Sequence, residues 1–353
     1  MTASQETGFD PALTGSADEG IYGIGGNLDE AALVYVPVPW EATTSYGKGT
    51  ANGPKAILQA SPQLDLYSRD LGDHYLQGFY LDVAQEEISR LNGSCKPLAE
   101  AVQEELEAKG NLGARPDLEK ARAEVNAGSR RVNELVYERC VELAAMGKKV
   151  ALIGGDHSSP LGLIRHIGEK YQGDFSVLHI DAHLDLRHSY QGFEFSHASI
   201  MRNVMALEKA PAKLVQVGIR DFCEEECRFA SDHPPISVFY DEDIKEALYR
   251  GATFASVVDD IVSRLSQKVY VSFDIDGLKP DLCPHTGTPV AGGLEFDQAR
   301  FLIKTLVKSG REIVGFDLCE VCPNLDNPQD EWDGNVGARI LFMLSSWMME
   351  SGK

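Results

Sequence analysis

Short apolar runs rich in β-branched residues recur along the chain, separated by stretches with helical spacing. The runs include Ala32-Leu-Val-Tyr-Val-Pro-Val38, Val150–Ile153, Phe175–Ile180, Leu214–Val217, Val269–Phe273 and Ile313–Phe316. A half-wet strand would alternate apolar and polar residues. These runs are largely apolar throughout, so both faces are expected to be covered, as in a parallel sheet between helices. Between them, Pro116 starts a helical pattern carried by Leu118, Ala121, Val125, Val132, Leu135, Val136 and Leu143 until Gly147 stops it. Thr253 to Leu265 and Asp297 to Val307 read the same way.

Two segments fall outside this alternation. Residues 1–30 are rich in Gly, Ser, Thr and acids, and read as an irregular arm. Leu98 to Leu106 is a smaller amphipathic segment in a polar stretch at about 85–115, read as a surface insertion. No repeat or linker divides the remainder, so residues 31–350 are expected to form one α/β domain, a central parallel sheet flanked by helices.

Ligands of such sheets collect at the carboxyl ends of the strands, and here acids and histidines gather at those ends. Val150–Ile153 runs into Gly154-Gly-Asp-His157, and Phe175–Ile180 into Asp181-Ala-His-Leu-Asp185. Val269–Phe273 runs into Asp274-Ile-Asp276, and Ile313–Phe316 into Asp317-Leu-Cys-Glu320. Alternate residues leaving a strand point the same way, so Asp181, His183 and Asp185 face one spot. Asp274 and Asp276 repeat the device, and His157 adds an imidazole. Four carboxylates repel one another too strongly to crowd together without cations. Two divalent metal ions per chain would neutralise them. A set of hard oxygens and two imidazoles with no thiolate suits Mn²⁺ first, with Ni²⁺, Co²⁺ or Fe²⁺ also admissible. Paired ions lower the pKa of a shared water toward neutrality, which points to hydrolysis rather than redox chemistry.

Composition narrows the partners. A formal charge of −21 over 353 residues disfavours nucleic acid and anionic membrane, both of which need basic surface. No signal peptide and no apolar run of about 18 residues is present. Seven scattered cysteines read as reduced thiols, and the expected setting is cytoplasmic. Cys319/Cys322 and Cys223/Cys227 have metal-like spacing but no zinc-ribbon context, and read as small core residues rather than a zinc or redox pair.

The strand-exit motifs, with Thr286-Gly-Thr-Pro289, Gly292-Gly293, Gly53-Pro-Lys-Ala-Ile57 and Ala338-Arg-Ile-Leu341, resemble the arginase/agmatinase ureohydrolases from about Ala32 to Leu344. The resemblance implies a three-layer arginase-like fold and urea release from a guanidino C–N bond. It implies one ion held by His157, Asp181, Asp185 and Asp274, and a second held by Asp181, His183, Asp274 and Asp276. Asp185 would also orient the attacking hydroxide. His197, in Phe195-Ser-His-Ala198, matches the family's proton shuttle. Glu320 matches the carboxylate that pairs with the guanidinium, and Thr288 lies near that group. The family also suggests a homo-oligomer, a trimer or hexamer.

The substrate loops depart from arginases. Arg187 stands where an arginase has an Asn that contacts the substrate carboxylate, and Cys223 stands where it has an Asp that holds the amino group. Arginine is therefore a poor candidate. Asp185-Leu-Arg-His-Ser-Tyr-Gln-Gly-Phe-Glu-Phe-Ser-His197 looks more like agmatinase-type members. Glu194 could meet a distal ammonium, or remain a solvated loop charge. Tyr190, Phe193 and Phe195 could narrow the pocket for free guanidine, or simply pack the loop. Arg187 could bind a carboxylate, as guanidinobutyrate or formiminoglutamate requires, or pair with an acid. Agmatine-like amines and free guanidine rank ahead of carboxylates. A zinc deacetylase of the same architecture would show fewer metal ligands. A non-catalytic binding protein would have lost ligands or His197.

Overall fold

The computed structural model describes residue 13 and residues 15–352, so most of the first half of the expected N-terminal arm lies outside the described residues. From its second half, Ile21 and Tyr22 are buried against the domain, with Tyr22 packed edge-on to Tyr35, Phe79 and Phe342.

The elements, in chain order, begin with β1 (Leu33–Val38), α1 (Gly53–Ala60), β2 (Phe79–Leu81), α2 (Glu86–Lys109) and α3 (Pro116–Ala145). Next come β3 (Lys149–Gly154), α4 (Leu161–Tyr171), β4 (Ser176–Ile180), α5 (Ile200–Met205), β5 (Lys213–Ile219), α6 (Glu224–Asp232) and β6 (Ile236–Tyr240). The chain continues through α7 (Asp241–Tyr249), α8 (Phe254–Ser263), β7 (Lys268–Asp274), α9 (Phe296–Lys308), β8 (Glu312–Cys319) and α10 (Trp332–Glu350). Among the described residues, eight strands pair in parallel, in the order β2-β1-β3-β8-β7-β4-β5-β6.

The apolar runs are buried on both faces because successive side chains enter different cores. Leu33 and Tyr35 of β1 join a cluster with α1, α8, α9 and α10, whereas Val34 and Val36 join one with α2, α3 and α4. The result is three layers. Among the described residues, no helix is long and apolar enough to cross a membrane.

The segment at 85–115 differs in extent from its sequence reading. The helix there spans 24 residues and continues through Pro97. Pro97 removes one backbone donor from a helix interior, which is why pattern alone starts the helix at Leu98. Ile88, Cys95, Ala99 and Val102 are buried in the layer shared with α3.

The strand order does the work that matters for function. β3, β8, β7 and β4 are consecutive neighbours in the middle of the sheet. Their carboxyl ends carry His157, Glu320, Asp274 and Asp181.

Candidate active site

Each exit depends on a local backbone device. After β3, Gly155 lies so close to Trp40 that a Cβ would sit 2.0 Å from the Trp40 carbonyl oxygen, so only glycine permits this approach. Asp185 and Glu320 adopt φ of 54° and 64°, a left-handed conformation uncommon for side chains other than Gly. Such strain, of order 1–3 kcal/mol each, persists where packing over-determines it, and it concentrates at functional sites.

His157 is the centre of one group. Its Nδ1 lies 3.0 Å from Asp181 Oδ2, 3.3 Å from Asp185 Oδ2 and 3.2 Å from Asp274 Oδ2. A single ring nitrogen carries at most one proton, so a hydrogen bond can serve one of these oxygens but not three. Donor atoms about 2.1 Å from a shared cation would stand at just such separations. His183 Nδ1 centres a second group, 3.3 Å from both Asp181 Oδ1 and Asp276 Oδ2. Asp181 thus offers one oxygen to each group. The residues present fit a pair of divalent ions.

Electrostatics agree with that fit. Burial, then repulsion from Asp181, pushes Asp185 up to about 6. Burial, then Asp276 and Asp181, raises Asp274 well above the usual carboxylate range. Burial disfavours the charged form of His157, yet Asp181, Asp185 and Asp274 outweigh it and raise the imidazole.

Around this core lies a supporting layer that the sequence reading missed. His179 Nε2 sits 2.8 Å from Asp181 Oδ2, and its Nδ1 2.9 Å from Gln216 Nε2 on the neighbouring strand β5. It stands two residues before Asp181, so strand alternation could have pointed to it. His157 Nε2 is 2.9 Å from Ser272 Oγ and 3.7 Å from Asp317 Oδ1. Outer partners of this kind orient ligating imidazoles and carboxylates.

Glu320 is buried directly beneath His157, whose backbone N–H donates to its Oε1 at 2.9 Å. Its Oε2 has no hydrogen-bond partner among the described residues, and the Gly287 backbone passes over it. Thr286 Oγ donates to the Glu320 carbonyl at 2.8 Å, and Thr288 Oγ to Asp276 Oδ2 at 3.2 Å. The neighbouring cavity, of about 130 Å³, is walled by His183, Asp185, Arg187, His197 and Thr288, among others, but not by Glu320. His197 opens the turn into α5. Serine hydroxyls flank both of its nitrogens, Ser45 at Nε2 and Ser196 at Nδ1, each 3.3 Å away. Burial, followed by the imidazoles of His183 and His157, lowers His197 to about 3.

The substrate-loop residues divide. Arg187 lies on the cavity wall with its guanidinium 4.7 Å from the centre of the Tyr190 ring and its Nε 3.6 Å from Glu226. Glu194 is not brought to the cavity: its carboxylate is exposed and pairs with Arg130 of α3 at 2.8 Å. The loop folds outward onto α3 because Asn126 of that helix accepts the Glu194 N–H at 2.9 Å. Phe193 is buried in the core and Phe195 lies beneath Arg130, leaving Tyr190 as the loop aromatic on the wall. Cys223 caps α6 through Glu226. All seven cysteines are free.

The arginase family model matches residues 31–345, which takes in all four strand exits. The chain belongs to the arginase family. Within it, the chain is 32% identical over 325 residues to the N(1)-aminopropylagmatine ureohydrolase of Synechocystis sp., covering 91% of this chain and 90% of that protein. It is 27% identical over 322 residues to the agmatinase of Bacillus anthracis, covering 91% and 94%. The agmatine ureohydrolase of Thermoplasma volcanium shares the arginase-like fold, with a TM-score of 0.67 over 99% of this chain and 98% of that one at 22% identity.

Proposed function

We propose that this chain is a metal-dependent ureohydrolase of the agmatinase type, releasing urea from a guanidino compound with a distal amine. The observation that carries the reading is the pair of carboxylate–imidazole groups sharing Asp181 over four adjacent strand ends. Similarity to agmatine and aminopropylagmatine ureohydrolases supports the substrate class.

His157, Asp181, Asp185 and Asp274 would hold one ion, and Asp181, His183, Asp274 and Asp276 the other, with Mn²⁺ favoured by the hard donors and Ni²⁺ the alternative. Such ions supply Lewis acidity and bring the pKa of a water toward neutrality. The remaining work belongs to the chain. Glu320 Oε2, free of other partners, can accept from a guanidinium N–H and hold that plane in place. Thr288 lines the cavity and donates its hydroxyl to Asp276. His197 stands on the cavity wall where it can hand a proton to the departing amine; its lowered pKa keeps the ring neutral at rest and makes its protonated form a strong acid. The free thiols suit a cytoplasmic setting, and the family suggests a homo-oligomer.

One observation favours a second reading, free guanidine as substrate. Arg187, stacked on Tyr190 and paired with Glu226, places a cation on the cavity wall and would disfavour a long cationic tail. A urea-release screen of Mn²⁺- and Ni²⁺-loaded protein separates the two, using agmatine, N1-aminopropylagmatine, guanidine, guanidinobutyrate and arginine. Agmatine-like amines should lead, with arginine at least ~100-fold lower in kcat/KM, about 2.7 kcal/mol. Guanidine in the lead would replace the first reading with the second, and no urea from any compound would refute both.

A further inference from the structure

Four side chains of α2 lie on one stripe: Asn92, Lys96, Glu100 and Gln103 recur at the three- and four-residue intervals that align on a helix. All four reach the irregular segment 41–50. Asn92 Oδ1 accepts from the Glu41 N–H at 2.9 Å. The Lys96 ammonium pairs with Glu41 Oε1, and Glu100 pairs with Lys48. Gln103 Nε2 donates to the carbonyls of Thr43 and Thr44, at 3.4 and 3.1 Å. Since Ile88, Cys95, Ala99 and Val102 are buried beside α3, one face of α2 anchors the helix and the polar stripe grips the segment.

Glu41 is the hub of that grip. It is 3% exposed, and its Oε2 accepts from Gly49 N at 2.6 Å, Ala51 N at 3.2 Å and Thr50 Oγ at 3.3 Å. A buried carboxylate so placed is tolerable only while its partners are complete. The far side of the segment meets the site. Ser45 Oγ stands 3.3 Å from His197 Nε2, and Gly47 N donates to Gly287 O at 2.9 Å, in the loop covering Glu320.

We propose that Lys96 and Ser45 are positioning residues for the hydrolysis: Lys96, acting through Glu41, holds segment 41–50 so that Ser45 Oγ orients the His197 ring at Nε2. The inference rests on the proposed ureohydrolase reading, in which His197 handles a proton. Nothing but geometry transmits the effect. Lys96 touches neither the cavity nor the metal-binding groups, whereas Ser45 stands on the cavity wall with its hydroxyl against His197.

The test is a double-mutant cycle on the metal-loaded, full-length protein. Lys96→Met keeps the length of the side chain and Ser45→Ala removes one oxygen, so both should fold, as checked by circular dichroism and melting. Each single variant should lose about 10- to 100-fold in kcat with KM and metal content near wild type. The double variant should lose no more than the worse single, because both act through one ring. In a His197→Asn background, Ser45→Ala should have no further effect. Hydrogen exchange should show faster opening of segment 41–50 in Lys96→Met, whereas Lys109→Met, on the same helix but paired with Glu105, should match wild type in both readouts. A folded Lys96→Met with wild-type kcat, or losses that multiply in the double variant, would overturn the inference while leaving the function intact. A wild-type chain that releases no urea would overturn both.

Discussion

Replacing Glu320 by Gln isolates the group proposed to hold the substrate. In the free protein, Oε1 accepts from the His157 N–H at 2.9 Å and Oε2 is bare. Gln has the same shape, and its amide oxygen can keep the His157 bond. The amide NH₂ then takes the place of Oε2 and meets the guanidinium donor to donor. The loss is at least one charge-assisted hydrogen bond, worth about 1.5–3 kcal/mol, and the opposed donors push it to the upper end. At 1.36 kcal/mol per tenfold, kcat/KM should fall by ~10²-fold. Stability should move the other way. A buried carboxylate with one unpartnered oxygen is costly, so Glu320→Gln should melt at or above the wild-type temperature. Urea release gives kcat/KM, elemental analysis the metal content, and a thermal melt the stability. A kcat/KM within threefold of wild type, or loss of the ions, would refute the assignment.

Chelation should lower the melting temperature by several degrees: free metal at a hundred times Kd contributes about 2.7 kcal/mol, and Mn²⁺ should restore it. An unchanged melt would mean that no ion binds this cluster. Glu194→Ala should leave kcat/KM within about twofold, since its carboxylate faces Arg130 and the pair is worth ~0.2–1 kcal/mol of stability at most; a large rise in KM for amine substrates would show that the loop reorients onto substrate. Gly155→Ala should destabilise by about 1–3 kcal/mol or more, read by denaturant titration, because its Cβ would strike the Trp40 carbonyl. Burial works to raise the Glu41 pKa, but Lys96 and the N–H groups of Ala51 and Gly49 outweigh it and hold the carboxyl below its usual range. Its stabilising contribution is thus present above the ordinary carboxylate range and lost as pH falls through the depressed folded value. Glu41→Gln should lower stability near neutrality and flatten the acid limb of stability against pH; an unchanged acid limb would contradict the shift.

Local pattern was enough to read much of this protein. A run such as Val269–Phe273 announces a doubly buried strand because side-chain alternation and β-branching are properties of a few consecutive residues. Asp181 and His183 could be expected to share a face for the same reason, whereas Asp185, with φ of 54°, is turned toward His157 by the loop and not by strand alternation. The edge strand β2 is only three residues long, too short to stand out, and Pro97 hid the first half of α2. What no local pattern specifies is which distant segments become neighbours, since that is decided by how whole faces pack. Only the order β3-β8-β7-β4 brings four separate exits together and lets Asp181 face both His157 and His183. The fate of each charge was likewise a matter of what lay alongside. Glu194 and Glu320 are both acids near candidate chemistry, yet one faces an arginine of α3 while the other is sealed beneath His157 with a bare oxygen. Glu41 reads as an ordinary loop acid until α2 is laid against it and supplies Lys96. A carboxylate's role follows from its desolvation and its partners, and both belong to the folded chain.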